Sequence, residues 1–247
     1  MAKATQVGPG AIAVSSSGSS SVTEGGTSSP KYNRTPHLPW SPGGTNDDKR
    51  IDRLDNLTHV SLIFTEKMDG SNVCLESGSV YARSHSGPPS HPSFDALKAL
   101  HSRVRHLIPP GVQVFGEWLY AKHSIHYTNL PHYLMLFGVR DNNTVGKTHG
   151  SWAEVEEMAR RLGVPTVPVL LTSSARNIDV LHWLVTECLV TPVTYGGREG
   201  VVVRTASWFP DDEFHLSVAK WVRKDHVTTD DHWKHQEIVR NKLRPTL

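Results

Sequence analysis

The sequence predicts an α+β fold with a largely antiparallel sheet. Six short runs rich in Val, Leu and aromatic residues, at 60–64, 112–118, 133–139, 164–171, 200–203 and 216–222, carry strand signals. Only three stretches carry helical ones, and the two kinds do not alternate as regular βαβ units would.

Taken in order, residues 1–30 are dominated by Ser, Gly, Thr and Ala, with too few large apolar side chains to offset the entropy of ordering. They read as a disordered tail. Pro36, Pro39 and Pro42 break up any periodicity in the next stretch, so 31–50 reads as an irregular arm carrying His37 and Trp40. The first helix is expected over 94–108, where Phe94, Leu97, Leu100, Val104 and Leu107 follow three-and-four spacing behind Ser93 as N-cap, and Pro109-Pro110-Gly111 ends it. Ser151 and Glu154 form a capping-box signature ahead of Val155, Met158 and Leu162, with Gly163 and Pro165 as the stop. A third helix is expected over 178–189. Residues 31–247 then make one domain with a short tail at 225–247, and no internal repeat is visible.

Composition narrows the function classes. The 247 residues carry a formal charge of +2, so a strongly basic nucleic-acid surface is not written into the bulk and any RNA contact must come from local clustering. Cys74 and Cys188 stand far apart, without the spacing of a disulfide framework or a zinc site. No apolar run approaches a membrane span and no signal-peptide core follows the N-terminus, so a cytoplasmic protein is expected.

The chemistry is concentrated in five motifs: Glu66-Lys67-Met68-Asp69-Gly70-Ser71-Asn72, Phe115-Gly116-Glu117-Trp118, Leu136-Phe137-Gly138, Arg198-Glu199-Gly200-Val201-Val202-Val203-Arg204, and Ala219-Lys220-Trp221-Val222-Arg223-Lys224. Each is weak alone. In this order they resemble the covalent lysine nucleotidyltransferase superfamily, and most closely its RNA ligase 2-like branch of ATP-dependent RNA ligases. The resemblance implies a nucleotidyltransferase (adenylation) domain of ATP-grasp-like ligase architecture, with antiparallel sheets, flanking helices and the nucleotide in a central cleft.

It also implies roles. Lys67 is the nucleophile that takes AMP from ATP, and its amine must be neutral to attack, so a lowered pKa is expected, with Lys220 and Mg²⁺ as the cause. Glu66 accepts from the adenine amino group, which favours ATP over GTP. Asn72 positions phosphate or metal-bound water, although an Asn at a turn is ordinary. Arg83 contacts the nucleotide or the RNA end. Glu117, a carboxylate in an apolar strand, binds ribose. Phe137 stacks on the base or packs in the core. Glu199 holds Mg²⁺, for which Mn²⁺ can substitute. Lys220 neutralises the α-phosphate.

The implied activity joins RNA 3′-hydroxyl and 5′-phosphate ends, as in RNA repair, through lysyl-AMP and adenylylated RNA. A DNA-nick ligase, a GTP-using guanylyltransferase and a non-catalytic RNA-end-binding protein are the alternatives.

The chain departs from the pattern in two places. Val222 stands where relatives carry a second lysine, and alternation puts it on the face of Lys220, leaving Arg223 and Lys224 as candidate phosphate or RNA contacts. Little sequence follows Lys224, too little for an OB domain, so a protein partner is a further expectation. His232 and His235 lack supporting ligands for a metal site, and the tail reads as polar and partly helical. The arm with His37 and Trp40 either lies over nucleotide or RNA or only covers an edge strand.

Overall fold

The computed structural model describes residues 31–44, 48–82, 88–224 and 238–245. Its elements in chain order are β1 (Ser61–Lys67), β2 (Ser71–Leu75), β3 (Val80–Ala82), α1 (Asp95–Val104), β4 (Val112–Trp118), β5 (Leu134–Asp141), β6 (Thr148–His149), α2 (Trp152–Leu162), β7 (Val169–Ser174), α3 (Ile178–Val190), β8 (Gly200–Thr205), β9 (Phe209–Pro210), α4 (Phe214–Ser217) and β10 (Val218–Val222). The strands form two sheets, ordered β10-β8-β1-β7 and β3-β2-β4-β5-β6-β9. Each pairing within them is antiparallel.

Strand alternation sorts the four-stranded sheet into two faces. Leu62 and Phe64 of β1, Val201 and Val203 of β8 and Ala219 of β10 join Leu181, Leu184 and Val185 of α3 in one core cluster. Thr65 of β1, Val202 of β8 and Lys220 of β10 stand opposite one another in register and line a cleft instead. The six-stranded sheet buries Val73, Leu75, Val114, Trp118, Leu134 and Leu136 against α1 and α2. Its β4–β5 pairing slips between Phe115 and Gly116, a bulge immediately before Glu117 that re-aims the strand at the cleft.

The second helix forms as its signals indicate. Ser151 and Glu154 cap each other's backbone, and Gly163 closes the helix at φ 67°, where a Cβ would be strained. The first helix starts differently. Pro92–Phe94 form a 3-10 turn capped by His91, and Ser93 instead gives its hydroxyl to His91 Nδ1 (2.8 Å) and its carbonyl to the Trp118 indole N–H (2.8 Å).

The run at 164–171 is split. Pro165 and Pro168 cannot donate to a ladder, so Thr166 bridges to Leu136 of one sheet and β7 begins only at Val169, pairing with β1 of the other. The described part of the C-terminal tail is extended. Its buried Asn241 donates to the Leu119 carbonyl (2.9 Å) and accepts from Tyr127 N–H (2.9 Å). Residues 1–30 and the tail histidines lie outside the described residues.

Candidate active site

The turn after Lys67 crosses from one sheet to the other, and its side chains fix the crossing. Asp69 Oδ2 accepts from the main-chain N–H groups of Ser124 (2.8 Å) and Ile125 (2.7 Å). The Asp69 N–H donates to the Tyr127 hydroxyl (2.9 Å). Gly70 donates to Glu117 Oε1 (3.1 Å), and a Cβ on Gly70 would sit 2.7 Å from the Trp118 carbonyl, so the close approach of β2 to β4 demands glycine.

Lys67 ends β1 opposite Gly200, which brings Glu199 beneath it. Lys67 Nζ meets Glu199 Oε2 at 2.5 Å, with the lysine side chain 26% exposed and the glutamate 10%. Burial of Lys67 opposes its charge, but Glu199, Glu117 and Asp69 together outweigh that and hold the ammonium above the usual lysine range. The carboxylates that flank Lys67 thus keep its proton, and the lowering expected from Lys220 and Mg²⁺ must work against them. Lys220 shows the opposite shift. Its own burial, with the Lys67 charge next, pulls it below the usual range. Burial also pushes the Glu117 carboxyl up to about 8, against the pull of Lys67.

Glu66 is 1% exposed. Its Oε2 accepts from Thr194 Oγ1 (3.0 Å) and Arg198 Nη2 (3.4 Å), while Oε1 is buried with no hydrogen-bond partner. An unpartnered buried carboxylate oxygen is costly, and an adenine amino group is the kind of donor that fits it. Asn72 stands across from Glu117 on β2. Phe137 is half-buried, and Tyr32 meets it edge-on with ring centroids 5.0 Å apart.

Of the site residues read from the sequence, Glu66, Lys67, Asn72, Glu117, Phe137 and Lys220 line a single cleft of about 720 Å³, a volume suited to a nucleotide, and Glu199 reaches it through Lys67. Arg223 and Lys224 lie past the end of β10 and do not line it, and the Arg223 N–H donates to the Glu199 carbonyl (3.1 Å). Arg83 lies outside the described residues.

His37 and Trp40 call for a correction. His37 is 2% exposed, with Nδ1 against Ser41 Oγ (2.8 Å) and Nε2 3.6 Å from Asp48, and Trp40 packs on His182 of α3, behind the sheet. Burial removes the first from any RNA surface, and the second points away from the cleft. The arm residues that do line it are Lys31, Tyr32, Asn33, Arg34, Thr35 and Asp48, none of which belongs to a motif. The proline-rich arm signalled only irregularity, and no local pattern marks them.

The RNA ligase family profile matches residues 60–222, which contain the cleft's strands, four of the five motifs whole and the fifth as far as Val222. The chain belongs to the RNA ligase family. Two solved forms of the Naegleria gruberi RNA ligase, each holding ATP and Mn, are similar to it. One is 13% identical with TM-score 0.50 over 76% of this chain and 58% of that one; the other is 11% identical with TM-score 0.50 over 80% and 61%. An archaeal ATP-dependent RNA ligase aligns at 17% identity and TM-score 0.45 over 76% and 48%. This RNA ligase family chain thus spans about half to three fifths of the length of the structures it matches. No curated protein sequence matches it.

The likeness to the Naegleria structures shows that this chain shares their fold. Among the described residues no three His, Cys, Asp or Glu side chains cluster as a ready-made metal cage, and no helix is long and apolar enough to cross a membrane.

Proposed function

We propose that this chain acts as an ATP-dependent RNA ligase, joining an RNA 3′-hydroxyl to a 5′-phosphate through AMP carried on Lys67. The observation that carries this is the Lys67–Glu199 contact inside a nucleotide-sized cleft that Lys220 and Glu117 also line. Family membership and the ATP and Mn held by the Naegleria enzyme support it.

In the first step the Lys67 nitrogen attacks the α-phosphorus of ATP. A P–N bond forms, the bond from that phosphorus to the bridging oxygen breaks, pyrophosphate leaves, and the nitrogen gives up its protons to the surroundings. The 5′-phosphate of RNA then takes AMP from Lys67, and the 3′-hydroxyl of a second end displaces AMP. Lys220 stands on β10, one strand removed from the nucleophile's β1 and in register with Thr65 through Val202 of β8, and its ammonium serves to offset the charge growing on the α-phosphate. Glu66 Oε1 receives the adenine amino group, Phe137 flanks the base, and Glu117 meets the ribose.

Glu199 would hold a divalent cation only with the help of the nucleotide's phosphates, which suits Mg²⁺ or Mn²⁺ and supplies charge neutralisation there. For Lys67 the consequence is direct. The same Glu199 charge that keeps the proton on Lys67 must be neutralised before the amine can attack.

The test is incubation of the purified chain with α-labelled ATP or GTP and Mg²⁺, followed by denaturing electrophoresis. Label from ATP that is absent in Lys67→Ala is expected, followed by sealing of RNA carrying the stated ends. Label from GTP would favour guanylyl transfer, sealing confined to nicked DNA would favour a DNA ligase, and an unreactive, unmodified chain would overturn the enzymatic reading.

A further inference from the structure

The arm is tied to both walls of the cleft and crosses its mouth between the ties. At one end Asn33 Nδ2 donates to Asp211 Oδ1 (3.1 Å) and Arg140 Nη1 donates to Asn33 Oδ1 (3.0 Å). Arg140, 3% exposed on β5, also reaches Asp211 (3.0 Å) and Gln113 (2.9 Å), so this tie is anchored in the six-stranded sheet. At the other end the Lys220 N–H donates to the Pro36 carbonyl (2.9 Å) and Leu38 donates to the Lys220 carbonyl (2.8 Å), a parallel bridge on the free edge of β10. Tyr32, packed against Phe115, Phe137 and Phe214, sets the strap's depth.

Only Arg34 and Thr35 lie between the two ties, and both line the cleft. The Arg34 guanidinium is 53% exposed and held at 2.9 Å by Asp48, which His37 approaches from behind (3.6 Å). It is near enough to Lys220 for the two charges to act on each other. Two other cations that line the cleft are held elsewhere, and Lys31, which lines it too, precedes the Asn33 tie. Lys67 is on Glu199, and Arg204 is 3% exposed, donating to the Gly150 carbonyl (2.6 Å) and set over the Phe209 ring. On β10 itself the next residue of the Lys220 face is the buried Val222.

We infer that Arg34, carried on this strap, is the cation that binds the β- and γ-phosphates of the incoming nucleoside triphosphate. The inference rests on the lysyl-AMP reading for its chemistry and on the strap for its geometry. With the α-phosphate between Lys67 and Lys220, the tail of the nucleotide runs out towards the mouth, where a planar guanidinium can take two oxygens at once. Its charge acts on pyrophosphate as that group leaves the α-phosphorus. It has no part in the later transfer of AMP to RNA, because the β- and γ-phosphates are then gone. Asp48 holds the guanidinium in place until the anion arrives.

The test compares the full chain with Arg34→Ala and Arg34→Lys, using equilibrium binding of α,β-methylene-ATP and of AMP in Mg²⁺. Arg34→Ala is expected to weaken the triphosphate analogue about tenfold or more while leaving AMP within about twofold, with Arg34→Lys in between. In parallel, pyrophosphate-driven loss of AMP from preloaded enzyme slows in Arg34→Ala, and AMP transfer to 5′-phosphorylated RNA does not. Equal weakening of AMP and the analogue, or no change in either, overturns the assignment. Failure of the wild-type chain to take up label from ATP would instead count against the lysyl-AMP reading, and the binding comparison would still decide the role of Arg34.

Discussion

On the β1–β8–β10 side of the cleft, Thr65, Val202 and Lys220 stand where strand alternation and register put them, and Lys67 and Glu199 meet because Lys67 pairs with Gly200. On the strap side, Asn33 and Arg34 are placed by contacts with Asp211, Arg140, Asp48 and the backbone of Lys220, some of them more than a hundred residues away. The first wall is set by strand ladders, with one face packed on α3 and the other turned to the cleft. The second has no ladder of its own beyond the isolated bridges of His37 to Arg50 and to Lys220, so its position depends on a few polar ties. A single substitution should therefore alter chemistry on the first wall and geometry on the second.

The sharpest contrast comes from Glu199→Gln, which keeps the shape and removes the charge. Labelling of Lys67 should fall by roughly 10²–10³ through lost charge stabilisation. Glu199 raises the Lys67 pKa, so its loss should also move the rising limb of the labelling rate to lower pH. An unmoved profile in stopped or quenched time courses would mean that this pair does not govern the nucleophile.

Arg140→Ala should cost about 3 kcal/mol or more in urea denaturation, because Asp211 and Gln113 lose a buried partner. Asn33→Ala unties only the strap. A loss of about 1 kcal/mol is expected, with faster proteolysis near residue 33 and labelling kinetics that weaken for ATP. If Asn33→Ala destabilised as much as Arg140→Ala, the strap would be part of the core and the contrast between the walls would fail.

A further effect concerns pH. Burial raises the Glu117 carboxyl to about 8, so the folded chain binds its proton more tightly than the unfolded chain does. Its contribution to stability is complete below the ordinary carboxylate range and is lost as pH rises towards 8. Glu117→Gln should flatten that part of the stability curve in denaturant titrations from pH 4 to 9, and an unchanged slope would place the titration elsewhere.

Much of the first wall was legible before any coordinates. Short runs rich in Val, Leu and aromatic residues marked β1, β4, β5, β8 and β10, and motif order gathered Lys67, Glu117, Phe137, Glu199 and Lys220 as site candidates. The small strands β3, β6 and β9 carry two or three residues each, too few for a periodic signal, and Pro165 and Pro168 hid the switch of 164–171 between sheets. Lys67's raised pKa was illegible for another reason. It comes from the summed field of three carboxylates drawn from separate parts of the chain. Tyr32, Asn33 and Arg34 were missed because only tertiary contacts distinguish them from any polar arm, whereas His37 and Trp40 drew attention by residue type and turned out to serve packing.

The most direct test of the account is to find where the nucleotide is attached. The wild-type chain would be incubated with ATP and Mg²⁺, digested at neutral pH to spare a P–N bond, and its peptides mapped by mass spectrometry. AMP on the peptide at Lys67, with none on Lys220, is the result the cleft geometry calls for. AMP on another residue, or a chain that reacts with ATP without any covalent adduct, would contradict it.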